Sequence, residues 1–183
     1  MRKVFMFNMI SLDGFFAGPK GEIDWHNVDK EFNAFAVEQL KEIETLVFGR
    51  VTYELMAGYW PTPTAVKSDP VVAERMNSLA KLVFSKTLNS VEWNNSRLVK
   101  GNPAQEISKL KIQQGKALAI LGSAVLSASL METDTIDELR IMVNPVILGS
   151  GMPLFRNANS RHPLKLVGSR AFRSGNVLLT YVR

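Results

Sequence analysis

The sequence predicts a three-layer α/β fold, in which a mixed, mostly parallel sheet carries helices on both faces and ends in an antiparallel hairpin. Three observations predict it. Short apolar runs, Lys3–Ser11, Thr45–Gly49, Lys81–Ser85 and Ala117–Leu121, alternate with segments of helical spacing as far as Met131. Such alternation calls for crossover helices over a parallel sheet. The first run is apolar on both parities, as a strand covered on both faces is. Beyond Met131 the chain is strand-rich and closes on two runs, Leu164–Phe172 and Asn176–Val182, around Arg173-Ser174-Gly175, a hairpin signal.

The elements follow in order. Lys3–Ser11 is a central strand. Residues 12–27 form a long connection with three glycines and a proline, yet with Phe15, Phe16, Ile23 and Trp25 as well. A loop that long and that apolar suits a lid or a binding loop. Asn27 is placed to cap a helix, with Asp29 in its first turn, and Val28, Phe32, Phe35, Ala36, Leu40 and Ile43 recur on one face. The next strand ends at Gly49, a short helix runs from Val51 to Ala57, and Gly58-Tyr59-Trp60-Pro61 opens a loop to Asp69. Asp69-Pro70 and Asn102-Pro103 are helix starts, a capping residue followed by proline. Ile107, Leu110 and Ile112 line the buried side of the second of these, which Gly115 ends. Arg97–Lys100 is a short strand. Gly122-Ser123 breaks the run 117–121 before a helix over Ala124–Met131, and Glu138–Leu148 is β-rich, interrupted at Pro145.

The 183 residues, 46% hydrophobic and 21% charged, fit one domain, 1–183, with a core that needs no staples. The absence of cysteine excludes a disulfide framework, a thiolate nucleophile and a cysteine-held zinc. Cytoplasmic residence is the expectation. Asn8 interrupts the N-terminal apolar run, so that run reads as a strand and not as a signal peptide. No run is long enough to span a bilayer. The net charge of +5 is scattered, with no basic stripe interleaved with aromatics, which argues against a nucleic-acid partner. It suits an anionic small molecule as well as simple solubility. His26 and His162 have no partner at metal-ligand spacing, so no metal site is expected.

Ligands of such sheets bind beyond the carboxyl ends of the strands. Three strand ends carry anion-friendly residues: Gly49-Arg50-Val51-Thr52, Ser85-Lys86-Thr87 and Gly122-Ser123-Ala124. Helix starts offer free N–H groups and a positive dipole end, and Arg50 adds a planar fork for phosphate oxygens. The three spaced glycines of a Rossmann fingerprint are absent.

Taken in order, Leu12-Asp13-Gly14, Gly21-Glu22-Ile23-Asp24-Trp25, Val47 through Glu54, Leu82 through Lys86 and Leu121-Gly122-Ser123 resemble the dihydrofolate reductase fold family. The tail, Asp137 through Ile141 and Asn144 through Phe155, is similar to the branch containing the reductase domain of bifunctional riboflavin-biosynthesis deaminase/reductases. The resemblance spans nearly the whole chain and implies an NADPH-dependent reductase. It implies that Arg50, with Ser85 or Lys86, holds the 2′-phosphate, and that Gly49, Val51, Thr52 and the helix start Gly122, Ser123, Ala124, Val125 take the pyrophosphate. It implies that Ala17 and Trp25 approach the nicotinamide from a lid. In folate reductases an acid stands about five residues after the loop tryptophan; Lys30 holds that place here, and Asp29 precedes it. The implied substrate is therefore a small conjugated heterocycle, pterin- or pyrimidine-like, rather than dihydrofolate itself. Asp29 is the candidate proton donor, and also a helix-start acid. Asp13, Asp24 and Tyr59 are candidates for the substrate side; Asp13 equally reads as a turn former beside Gly14. The apolar hairpin residues Val177, Leu178, Leu179 and Val182 would leave an exposed edge, so a homodimer is expected. A nucleotide- or pterin-binding module without turnover is the second reading.

Overall fold

The computed structural model describes residues 1–156 and 160–183. Its elements run β1 (Val4–Ser11), β2 (Phe15–Ala17), α1 (Lys30–Lys41), β3 (Ile43–Gly49), α2 (Arg50–Tyr59), α3 (Pro63–Ser68), α4 (Pro70–Ser78), β4 (Ala80–Phe84), β5 (Ser96–Val99), α5 (Pro103–Lys111), β6 (Ala117–Leu121), α6 (Ala124–Met131), β7 (Glu138–Asn144), β8 (Met152–Pro153), β9 (Lys165–Ala171) and β10 (Val177–Val182). Eight strands form one sheet in the order β5-β4-β3-β6-β1-β7-β10-β9, while β2 and β8 pair separately. The first six in that order run parallel, and β10 is antiparallel to both β7 and β9. The sheet is mixed and mostly parallel, as the alternation of patterns predicts.

Strand alternation divides the core between the two faces. Val4, Met6, Val47, Leu82, Leu118 and Ile120 meet Ile107 of α5 and Leu126 and Leu130 of α6. Phe5, Leu46, Phe48, Val83 and Ala119 meet Leu40 of α1, Tyr53 of α2 and Val72 and Met76 of α4. Each fully buried aliphatic side chain contributes about 1.5–3 kcal/mol relative to exposure. β1 lies between β6 and β7, the central place its two apolar faces require.

Five expectations are corrected. The cap of α1 is Asp29, whose side chain accepts from the Phe32 N–H, and not Asn27, whose polar groups are drawn into contacts with Asn144, Ser174 and Asn176. The 61–69 connection holds α3, because Thr62 caps it and Pro63 opens it. β3 begins two residues before Thr45. Ile112 is 75% exposed, since α5 stops at Lys111, ahead of the Gly115 stop signal. Finally, the exposed edge falls on β9 rather than on Val177, Leu178, Leu179 and Val182: β10 is paired on both sides, whereas all seven residues of β9 are exposed.

Candidate functional site

The carboxyl ends of β3 and β6 lie side by side, because Val47 pairs with Ile120. α2 and α6 start there, and two hydrogen bonds latch their starts together. The Gly49 N–H donates to Ser123 Oγ at 2.9 Å, and the Ser123 N–H donates to Thr52 Oγ1 at 3.0 Å. The price of the latch is backbone strain: Gly122 has φ +64° and Ser123 φ +57°, ψ +51°. Glycine takes the left-handed region freely and serine does not. A Cβ at Gly122 would also stand 3.0 Å from Thr52 Cγ2.

Neither helix start is capped by a side chain, and neither has an acid in its first turn. α1, α3 and α5, by contrast, begin on side chains that accept from their own N–H groups. The first N–H groups of α2 and α6 therefore remain available beside each other, with two dipole ends behind them. This is a cradle for an anion.

Two cations stand on the β3–β4 side of the cradle. Arg50 is exposed at the start of α2 and pairs with Glu54 at 2.8 Å. Both partners are about half exposed, so the pair is weak and exchangeable. β4 adjoins β3, with Phe84 in register with Gly49, which brings Ser85 and Lys86 next to Arg50. Ser85 Oγ is engaged in its own turn, accepting from the Thr87 and Leu88 N–H groups at 3.2 and 3.0 Å. Lys86 is exposed, and its carbonyl accepts from Lys100 Nζ at 3.2 Å.

The long loop covers the other side. Phe16, half-buried, stands 3.7 Å from a Cβ built at Gly122 and packs on the α6-side core. Ala17 is buried, and its carbonyl lies so near Gly151 that a Cβ there would collide with it. Trp25 donates through Nε1 to the Glu22 carbonyl at 3.1 Å and meets His26 edge-on. Asp13 accepts from the Leu148 and Gly149 N–H groups at 3.1 and 2.7 Å, tying the loop to residues 145–150. The neighbouring Ser11 hydroxyl, with those N–H groups, holds its carboxyl below the ordinary value.

The structure thus brings Gly49, Arg50, Val51, Thr52, Ser85, Lys86, Gly122, Ser123, Ala124 and Val125 to neighbouring strand ends, with Ala17 on the loop strand β2 beside Phe16. The side chains of Val51 and Val125 are exposed. The substrate-side candidates are more dispersed. Asp29 is committed through Oδ1 to the α1 cap at 2.8 Å, Asp24 is exposed, and Tyr59 sits on the last turn of α2 against Trp60. A groove of about 690 Å³ is lined by Tyr53 and Glu54 of α2, the latter the partner of Arg50, and by Asn77 and Trp93. Beside it Lys81 is buried, and burial pushes its ammonium down to about 8. That group is occupied by the carbonyls of Asn77, Leu79 and Asn94, so it is a structural plug. The sequence marks Phe16 only as part of an apolar loop and Asn8 only as the lone amide in an apolar strand, and it carries no signal for the contact of Lys100 with the Lys86 carbonyl.

The profile of the RibD C-terminal domain family matches residues 2–178. The chain belongs to that family. It is 32% identical over 180 residues to the uncharacterized protein YyaP of Bacillus subtilis (strain 168), covering 98% of this chain and 94% of that one. Among solved structures, the Thermotoga maritima diaminohydroxyphosphoribosylaminopyrimidine deaminase/5-amino-6-(5-phosphoribosylamino)uracil reductase superposes with TM-score 0.70 at 16% identity, over 99% of this chain and 56% of that one. Enterococcus faecalis dihydrofolate reductase complexed with NADP(H) superposes with TM-score 0.66 at 18% identity, over 99% and 96%. The RibD C-terminal domain member described here thus has a dihydrofolate-reductase-like, reductase-type fold. No helix among its described residues is long and apolar enough to cross a membrane, and no group of three potential ligands among them could hold a metal ion.

Proposed function

We propose that the protein is an NADPH-dependent reductase of a small conjugated heterocycle, pterin- or pyrimidine-like. The observation that carries this reading is the pair of latched, uncapped helix starts with Arg50 and Lys86 at their rim. The fit to a dinucleotide phosphate is chemical: paired free N–H groups for a pyrophosphate, and two exposed cations for a further phosphate. NADP(H) in the dihydrofolate reductase neighbour supports the choice of cofactor.

Bound NADPH would supply the hydride, and the protein's work is to orient and to exclude water. Arg50 exchanges Glu54 for the 2′-phosphate, with Lys86 beside it. The N–H groups at the starts of α2 and α6 take the pyrophosphate, while the Thr52 hydroxyl, already accepting from Ser123, keeps its own proton to donate. Phe16, Ala17 and Trp25 close the nicotinamide side against solvent. Asp29 is the proton donor for the reduced bond, with Asp13, Asp24 and Tyr59 toward the substrate. The protein works in the cytoplasm, which its lack of cysteine supports, and as a homodimer.

The test is a fluorescence titration with NADPH and NADH, following tryptophan quenching and energy transfer to the nicotinamide. NADPH binds more tightly, and Arg50→Ala brings the two within a fewfold of each other. Equal affinities in the unmutated protein overturn the 2′-phosphate assignment. Binding without consumption across a panel of pterins and pyrimidines favours the module without turnover, to which the engagement of Asp29 as a cap lends support.

A further inference from the structure

Asn8 is 1% exposed, and neither its Nδ2 nor its Oδ1 has a hydrogen-bond partner among the described residues. Two other buried asparagines differ: Asn144 on β7 donates to the Ile10 carbonyl and accepts from the Asn27 N–H, and Asn176, whose Oδ1 is also unpartnered among the described residues, still donates through Nδ2 to the Asn27 carbonyl. A primary amide buried with both ends unpaired is costly. Leucine would fill the same volume without that cost, as Val4, Met6 and Ile10 do at the positions of like parity.

The place of Asn8 supplies a reason. Met6 pairs with Ile120, and the Gly122 N–H donates to the Phe7 carbonyl at 3.1 Å, so Asn8 stands alongside Gly122. Ile120 also pairs with Val47, which sets Gly49 on the other side of Gly122. Gly49, Gly122 and Asn8 therefore form one lateral row across β3, β6 and β1, on the sheet face that carries α6. Two members of the row have no side chain and head the anion cradle. The third, about one strand spacing away (~4.8 Å), presents an unpaired amide. Phe16 covers the row at Gly122.

An amide edge offers one acceptor and one donor side by side, and its complement is another amide edge. We propose that Asn8 is the recognition residue for the nicotinamide carboxamide, pairing with it through both Oδ1 and Nδ2 once Phe16 gives way. This assignment rests on the dinucleotide reading above and deepens it. It makes Asn8 a specificity residue for the cofactor's ring end, distinct from the cations that read its phosphates.

The test compares three probes on the intact protein and on Asn8→Leu: NADP+, its 3-acetylpyridine analogue, whose methyl ketone keeps the acceptor but lacks the donor, and 2′-phospho-ADP-ribose, which lacks the ring. The unmutated protein prefers NADP+ over the analogue by roughly tenfold, the worth of one buried hydrogen bond. Asn8→Leu binds the two dinucleotides alike, while 2′-phospho-ADP-ribose binds both proteins within about twofold. Asn8→Ala repeats the comparison without a branched side chain. Unchanged discrimination in the variants overturns the proposal and leaves Asn8 to a buried water. A defect confined to the KM of the heterocycle also overturns it and assigns the amide to the substrate. Failure of 2′-phospho-ADP-ribose to bind the unmutated protein instead strikes at the dinucleotide reading itself, and the carboxamide assignment falls with it.

Discussion

Ser123 holds a left-handed backbone that costs a non-glycine residue about 1–2 kcal/mol, and its side chain and N–H account for why it stays there. Its Oγ accepts from Gly49 and its N–H donates to Thr52, so one residue joins two helix starts. Ser123→Ala removes the acceptor and leaves the Gly49 N–H without its partner. The expected loss is about 1–2 kcal/mol of unfolding free energy by urea titration. Ser123→Gly loses less, because glycine recovers the conformational cost. An alanine variant as stable as the parent sinks the latch argument. At this scale the sequence was informative about chemistry and silent about partnership. Gly49, Thr52 and Gly122-Ser123 were readable as anion-friendly strand ends. That Ser123 and Thr52 bond each other follows from the lateral pairing of β3 with β6, which no local pattern encodes.

The long loop between β1 and α1 is fixed at both ends. Asp13 holds the first end to residues 148–149. At the other end the Asn27 N–H donates to Asn144, its side chain to the Ser174 carbonyl, and its carbonyl accepts from Asn176. His26 sits next to this knot, mostly buried, and its Nε2 has no partner among the described residues. Burial pushes its pKa down from the ordinary 6.5 to about 4. The sign follows: between those values the unfolded chain binds the proton and the folded one does not. The stability due to a neutral His26 is thus complete above pH 6.5 and is lost as pH falls toward 4. Melting temperatures recorded from pH 7.5 to 4.5 should fall more steeply for the parent than for His26→Gln. Parallel curves reject a buried neutral imidazole. The sequence marks this segment as too apolar for an idle loop; Phe16 packs beside Gly122 and on the core, and Ala17 is buried against Gly151. The cap was misassigned to Asn27 because asparagine is a good cap in any local context; its tertiary partners on β7 and the hairpin turn draw it away, and Asp29 takes the place.

Over the whole molecule, one edge of the eight-stranded sheet is left unguarded. β9 is exposed along its length, with Leu166 and Val167 49% and 52% exposed and Leu164 just before it 37% exposed. An edge of this kind invites pairing, and the proposed homodimer covers it. Sedimentation should give a species near twice 20.4 kDa, and Val167→Lys should shift it toward the monomer. A parent that sediments only at 20.4 kDa removes the dimer. The architecture itself was legible, because apolar strands on both parities and alternating helices leave few alternatives. The location of the edge was legible only in part: β9 carries Lys165, Gly168, Ser169 and Arg170 while β10 is uncharged, as suits an edge beside an inner strand, but the pairing of β10 with β7 that makes β9 the edge is set by the order in the sheet.

That order carries one more consequence. β6 is wedged between β3 and β1, so the row through Gly49, Gly122 and Asn8 does not exist until a late strand has been inserted between two early ones. A nascent chain that has emitted β1 through β5 holds most of the cation-bearing residues but no cradle. A dinucleotide bound as proposed would therefore recognise only the finished sheet and could not template its assembly. Bound there, it would hold the inserted strand in place, a bolt shot home after the door is shut.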